Sequence, residues 1–112
     1  MVIRENDTVS ELRENMRGGK GAVTIKKLGA DIPNVRLSAL IVLPEGAGIG
    51  LHAHEGECEQ YYILSGEGLY DDGASKTSVS AGDFTLCRSG ESHAIENSGG
   101  GELRLMAYIT LT

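Results

Sequence analysis

The sequence predicts an all-β protein, an antiparallel sandwich or barrel with little helix. Two observations carry this. The first is a series of strand-length runs rich in Val, Ile, Leu, Thr and Tyr: residues 23–28 (VTIKKL), 35–43 (VRLSALIVL), 59–65 (EQYYILS), 76–80 (KTSVS), 83–88 (DFTLCR), 92–97 (SHAIEN) and 102–111 (ELRLMAYITL). β-Branched and aromatic side chains fit a pleated, half-buried surface. The second is the punctuation between the runs. Turn residues bound most of them, at 44–48 (PEGAG), 71–75 (DDGAS), 80–83 (SAGD) and 97–101 (NSGGG). Asp71–Gly73 reads as a hairpin turn, and Asp83 as a turn residue whose carboxylate accepts backbone N–H groups. Many short strands joined by glycine-rich turns fit two packed sheets rather than an alternating α/β order.

Within the runs, side-chain alternation assigns faces. Counting by twos from Glu59, Tyr61 and Ile63 face the interior, while Gln60, Tyr62 and Leu64 face outward. The end of the 35–43 run (Ala39 to Leu43) is apolar on both faces, as expected of a strand buried on both sides. The only helical pattern is 8-TVSELRENMR-17. There Leu12 and Met16 share one face and Gly18 would end the helix. The expected organisation is an arm or short helix over residues 1–22, packed on a single β-domain over residues 23–112.

A chain of 112 residues is long enough to bury a core without disulfides or a structural metal. The formal net charge of −6 argues against nucleic acid or an anionic membrane surface as the main partner. Cys58 and Cys87 show no CxxC spacing, and the sequence suggests no signal peptide or transmembrane run. The expectation is a cytoplasmic protein with both thiols free.

The chemistry gathers around 46-GAGIGLHAHEGECEQYYILSGEG-68. His52 and His54 are two places apart, so on a strand they project from one side and offer two imidazole nitrogens to one metal. Glu59 follows closely enough to add an oxygen. The third histidine, His93, lies in 82-GDFTLCRSGESHAIEN-97. All three histidines therefore sit at strand edges beside glycine-rich turns, a distribution that scattered core or surface histidines would not show.

Together the two stretches resemble the paired motifs of the cupin superfamily. The first motif, G-x5-H-x-H-x4-E-x6-G, is met at Gly46, His52, His54, Glu59 and Gly66. The second, G-x5-P-x-G-x2-H-x3-N, is met at Gly82, Gly90, His93 and Asn97, with Arg88 in place of the usual Pro. The resemblance implies a double-stranded β-helix, or jelly-roll barrel. It implies one divalent transition metal inside the barrel near one mouth, held by His52, His54, Glu59 and His93. Three imidazoles and a carboxylate suit Fe, Mn, Ni, Co, Cu or Zn and are too rich in nitrogen for Ca or Mg. Four protein ligands on an octahedral metal leave two positions open.

Two functional classes follow from the resemblance. One is a metal-dependent enzyme, of dioxygenase or isomerase/lyase type, acting on a small organic substrate in the barrel. In that case Glu59 could serve as a base, and the Tyr61 hydroxyl could donate to a bound ligand. The alternative is a non-catalytic cupin that binds or senses a small molecule. A homodimer through an outer sheet is expected in either case, with Tyr62 and Leu64 as part of the covered surface. Arg88 reads as a surface residue, and Cys87 as a small buried apolar group. If the ligand set is right, His54→Ala removes tight metal binding. Elemental mass spectrometry of the purified variant tests this, and a full metal equivalent retained would contradict it.

Overall fold

The computed structural model describes residues 1–28 and 31–112. Among the described residues ten strands run in chain order: β1 (Ser10–Glu14), β2 (Ala22–Lys27), β3 (Val35–Leu43), β4 (Gly48–Ala53), β5 (Glu57–Ser65), β6 (Glu67–Asp71), β7 (Lys76–Ser80), β8 (Phe84–Cys87), β9 (Ser92–Asn97) and β10 (Leu103–Leu111). They form two antiparallel sheets, of order β1-β2-β3-β10-β5-β8 and β4-β9-β6-β7. The predicted all-β jelly roll is the architecture observed.

The alternation along β5 and β10 shows why these segments are strands. On β5, Glu59, Tyr61 and Ile63 are buried, while Tyr62 is 49% and Leu64 44% exposed. On β10, Leu103, Leu105, Ala107 and Ile109 point into the core. Ala39 and Ile41 face the core between the sheets, and Leu40 on the other face of β3 lies beside Ile3, Leu28 and Met106, so the strand is buried on both sides. The core between the sheets combines these residues with Val23, Ile25, Ile49 and Ile95. Each fully buried Leu or Ile contributes roughly 1.5–3 kcal/mol relative to exposure.

Several motif residues prove to be scaffolding. Gly66 has φ +89°, and a Cβ there would overlap the Glu102 carbonyl oxygen, so the β5–β6 turn needs glycine. Asn97 Nδ2 donates to the Leu43 and Gly101 carbonyls at 2.9 and 2.6 Å, and its Oδ1 accepts from Gly99 N–H at 2.9 Å. It ties the β9–β10 turn to the end of β3. In the β6–β7 turn, Asp72 Oδ1 accepts from the amides of Ala74 and Ser75 at 2.9 and 2.8 Å. Asp83 Oδ2 accepts from Ser80 N–H at 2.9 Å, as the turn chemistry anticipated.

The N-terminal segment departs from the helical pattern. Residues 8–17 hold β1 and part of a turn, and the nearest helical features are short 3₁₀ turns at Glu5–Asp7 and Met16–Gly18. An isolated helix of this length is marginal in water, whereas β2 offers a full ladder to pair with. β1 takes it, in register from Ser10↔Lys26 to Glu14↔Ala22. Leu12 is 66% exposed, while Met16 packs against the core from the turn after β1. The chain then turns through Asn15 and Arg17, both with positive φ (50° and 53°), and lies against β4. A Cβ on Gly50 would overlap the Arg17 carbonyl oxygen, and one on Gly19 would overlap the Gly48 carbonyl oxygen. Glycine at both places lets the two backbones touch. Gly50→Ala should therefore push the 16–18 turn off β4 and lower stability by about 1–3 kcal/mol. Hydrogen exchange of residues 15–21 and chemical denaturation check this, and unchanged protection would contradict the close fit.

Candidate metal centre

The three histidines and Glu59 meet between the two sheets. β4 and β9 pair so that His52 and His93 are direct cross-strand partners. His54 follows β4 immediately. Its amide donates to the Glu91 carbonyl at 3.1 Å, and its carbonyl accepts from Gly90 N–H at 2.7 Å. These two bonds sew the turn after the first motif to the turn of the second. Glu59 enters from β5 in the facing sheet. Glu59 Oε1 lies 3.0 Å from His54 Nε2 and 2.9 Å from His93 Nε2, and the two imidazole nitrogens are 3.1 Å apart. His52 Nε2 is 3.9 Å from the same carboxylate oxygen. One ligand atom from each of the four residues falls within 4.8 Å of all the others.

The far side of each ring settles what this cluster can hold. His52 Nδ1 lies 2.7 Å from the Gly50 carbonyl, which can only accept, so Nδ1 carries the proton. His54 Nδ1 lies 2.6 Å from Glu57 Oε2, and Glu57 in turn takes two bonds from Arg36 at 2.8 Å each. The Arg36 guanidinium, more than the His54 ring, holds the Glu57 carboxyl below its ordinary range. An ionised carboxylate again requires Nδ1–H on His54. His93 Nδ1 lies 2.8 Å from the Tyr70 hydroxyl. With Nδ1 carrying the proton, Nε2 of His52 or His54 faces a carboxylate oxygen, a contact that either a metal cation or a second proton on Nε2 must bridge. Lone pairs cannot bond to one another, so the set fits a cation. Adjacent ligands on an octahedral metal about 2.1 Å away lie about 3.0 Å apart, which the 2.9–3.1 Å separations among His54, His93 and Glu59 match, while His52 stands further off, at 3.9 Å from the Glu59 oxygen. The residues present therefore fit a divalent transition metal.

The aromatic neighbours are Tyr61 and Tyr70. Tyr61 is 1% exposed and stacks on His93, with ring centroids 4.9 Å apart and planes 15° from parallel. Burial first, and the Glu59 charge second, push its hydroxyl well above the usual tyrosine range, so it stays protonated. Burial also pushes Tyr70 up, to about 12. Sequence reading missed Tyr70, Glu57 and Arg36. Tyr70 lies on β6, between the two motifs, where the strand runs into a turn already assigned from its aspartates. Arg36 and Glu57 are distant in sequence and meet only through sheet register. Cys87 is buried and free, as expected.

Above the cluster opens a cavity of about 340 Å³, walled by Ile25, Leu37, Ile41, Ile49, Tyr61 and Ile109 among others. Its charged lining comes from Arg13, Arg17, Lys27 and Arg36, with Glu11 and Asp31. Arg88 is absent from this lining; it lies on the surface beside Leu86 and Ser92, and its backbone N–H donates to Glu91 Oε1 at 2.7 Å.

The ionisable groups of the site set a direction for pH dependence. Burial raises the Glu59 pKa, but hydrogen bonds and charge from His52, His93 and His54 outweigh it and bring the carboxyl to about 2. Burial lowers His93 from its ordinary value of 6.5, against the pull of Glu59. Both groups bind protons more readily in the unfolded chain, so both make stability fall as pH falls. Metal-free protein should lose melting temperature in two windows, one opening below pH 6.5 for His93 and one between pH 4.5 and about 2 for Glu59. A melting temperature that is flat or rises between pH 7 and 3 would contradict this.

The comparisons with known proteins agree with this architecture. The sequence matches the Cupin_2 family, described as cupin domain, over residues 39–109. It is 46% identical over 114 residues to a Thermotoga maritima protein named oxalate-binding protein, covering 99% of this chain and 94% of that one. A crystal structure titled as a predicted oxalate decarboxylase from Thermotoga maritima superposes with a TM-score of 0.95 at 44% identity over the whole of both chains. The cupin domain of Schizosaccharomyces pombe Cnp3 shares the fold alone, with a TM-score of 0.76 at 16% identity over 91% of this chain and 69% of that one. The chain belongs to the cupin family.

Proposed function

We propose that the protein is a metal-centred receptor for a small dicarboxylate of the oxalate class. The observation that carries this reading is a His52/His54/Glu59/His93 cluster, three of whose members line a cavity that Arg13, Arg17, Lys27 and Arg36 also line. The relative named as an oxalate-binding protein supports the same chemistry. A bound divalent ion would supply Lewis acidity and two open positions for carboxylate oxygens. The chain's own residues do the rest. Glu57, Gly50 and Tyr70 orient the three imidazoles. Ile25, Ile49 and Ile109, all buried, give the cavity an apolar wall, which strengthens charge interactions beside it.

The rim selects charge. Arg13 is 3.3 Å from Glu11 and Arg36 is held by Glu57, whereas Arg17 and Lys27 make no ion pair among the described residues. A chain of net charge −6 repels a dianion from its general surface, so a local basic rim is what would draw one in. Tyr61 lines the same cavity, and its hydroxyl, kept protonated, would donate to a bound oxygen rather than take a proton.

Binding without turnover is the preferred class, because the groups touching the cluster are already committed. Glu59 is held ionised by three imidazoles, which suits a ligand more than the base that the sequence suggested. A lyase reading has one observation in its favour: the carboxyls of Glu11 and Asp31 line the same cavity. Either could deliver the proton needed when the C–C bond of oxalate breaks, carbon dioxide leaves and the remaining carboxylate carbon takes up a proton as formate. Calorimetric titration of oxalate into manganese-loaded protein separates the readings. Stoichiometric binding that needs the metal, weakened about tenfold by Arg17→Ala, is the expected result. Binding that ignores the metal would contradict the proposal, and formate accumulating beyond one equivalent would favour the lyase.

A further inference from the structure

We propose that Glu57, clamped by Arg36, is a positioning residue for the metal centre. It fixes the proton of His54 on Nδ1 and so presents the Nε2 lone pair to the ion. Three observations support the assignment. First, the geometry is a continuous chain from Arg36 to the centre. Arg36 Nε and Nη2 each donate to one oxygen of Glu57 at 2.8 Å, and Glu57 Oε2 accepts from His54 Nδ1 at 2.6 Å. A guanidinium fork holding a carboxylate by both oxygens fixes its plane as well as its position.

Second, the fold makes a local irregularity at this point. β3 pairs with β10 at Leu37↔Ile109 and then at Val35↔Thr110, so Arg36 is an extra residue with no partner on β10. A bulge of this kind re-aims a side chain. Here it lets Arg36 reach Glu57 on β5, the strand on the other side of β10.

Third, His54 is singled out among the three ligands. His52 leans on a neutral carbonyl and His93 on a neutral hydroxyl. Only His54 has an ionised carboxylate behind it. A carboxylate accepting from Nδ1 makes Nε2 a stronger donor to metal, and such partners typically change metal affinity by about 10–100-fold. The Arg36 side chain is 50% exposed, and an ion pair in that setting adds little to stability by itself. Orientation of His54 gives the arrangement a purpose that stability does not.

The test uses cobalt(II), whose visible absorption reports its ligand field, in competition with a chelator and without any carboxylate ligand. Failure of oxalate binding would therefore leave it intact. The proteins are wild type, Glu57→Ala, Glu57→Gln, Arg36→Ala and the Glu57→Ala/Arg36→Ala pair, each with the unfolding temperature of its metal-free form. The expected result is a loss of cobalt affinity of about 10–100-fold in Glu57→Ala and a smaller loss in Glu57→Gln, which keeps a neutral acceptor. The double variant should be no weaker than Glu57→Ala, because Arg36 acts through Glu57. Wild-type affinity in Glu57→Ala would overturn the proposal, as would losses that add in the double variant or that merely track a drop in unfolding temperature. Should Glu57→Ala not fold, Glu57→Gln decides. A weaker, spectrally altered cobalt site at an unchanged unfolding temperature sustains the proposal, and a wild-type site overturns it.

Discussion

Three imidazole nitrogens and a carboxylate oxygen share one buried volume, and the rest of the molecule is arranged around that constraint. Electron pairs this close repel unless a cation or a proton sits among them. The fold holds them there by drawing on both sheets. β4 and β9 supply the histidines through direct cross-strand pairing, and β5 brings Glu59 from the opposite side. Each ring is then locked from behind by an acceptor or a hydroxyl. The interior position matters as much as the ligands, since charges walled off from solvent interact more strongly than solvent-screened surface charges.

The family motifs divide into chemistry and carpentry. His52, His54, Glu59 and His93 form the cluster. Gly66 and Asn97 do structural work: one lets two backbones approach, and the other ties a turn to a neighbouring strand. Arg88 shows the same division at the one position where the second motif is broken. Proline would stiffen that turn, but the Arg88 amide is already used by Glu91, so the turn is held by a side-chain acceptor instead of a ring. The two turns that carry the histidines are further joined through His54, Gly90 and Glu91. Ligand spacing is thus fixed by backbone hydrogen bonds and not only by side-chain packing.

Much of this was legible in the sequence, for physical reasons that differ by residue. Alternation with period two placed Tyr61 and Ile63 inside and Tyr62 and Leu64 outside, because a strand leaves no other choice. The four residues of the cluster were legible through motif spacing. The N-terminal segment was misleading, since an i,i+4 apolar pair such as Leu12 and Met16 is a local signal while strand pairing with β2 is not. β4 was read as a strand only through its histidines, and β6 was overlooked, because glycines or turn aspartates break their hydrophobic pattern. Tyr70, Arg36 and Glu57 could not be read at all. Their roles depend on which strands pair and on a bulge opposite β10, and neither is encoded in local periodicity.

The N-terminal turn links the scaffold to the cavity. Glycine contacts hold residues 16–18 on β4, and this places Arg17 in the lining of the cavity that His52 also lines. All of this has meaning only if a metal occupies the cluster. The most direct measurement is an anomalous diffraction experiment on crystals of protein loaded with manganese or cobalt. The account predicts one anomalous peak per chain, about 2.1 Å from Nε2 of His52, His54 and His93 and from Glu59. An ion bound elsewhere, or no peak while the four side chains stay in direct contact, would contradict it.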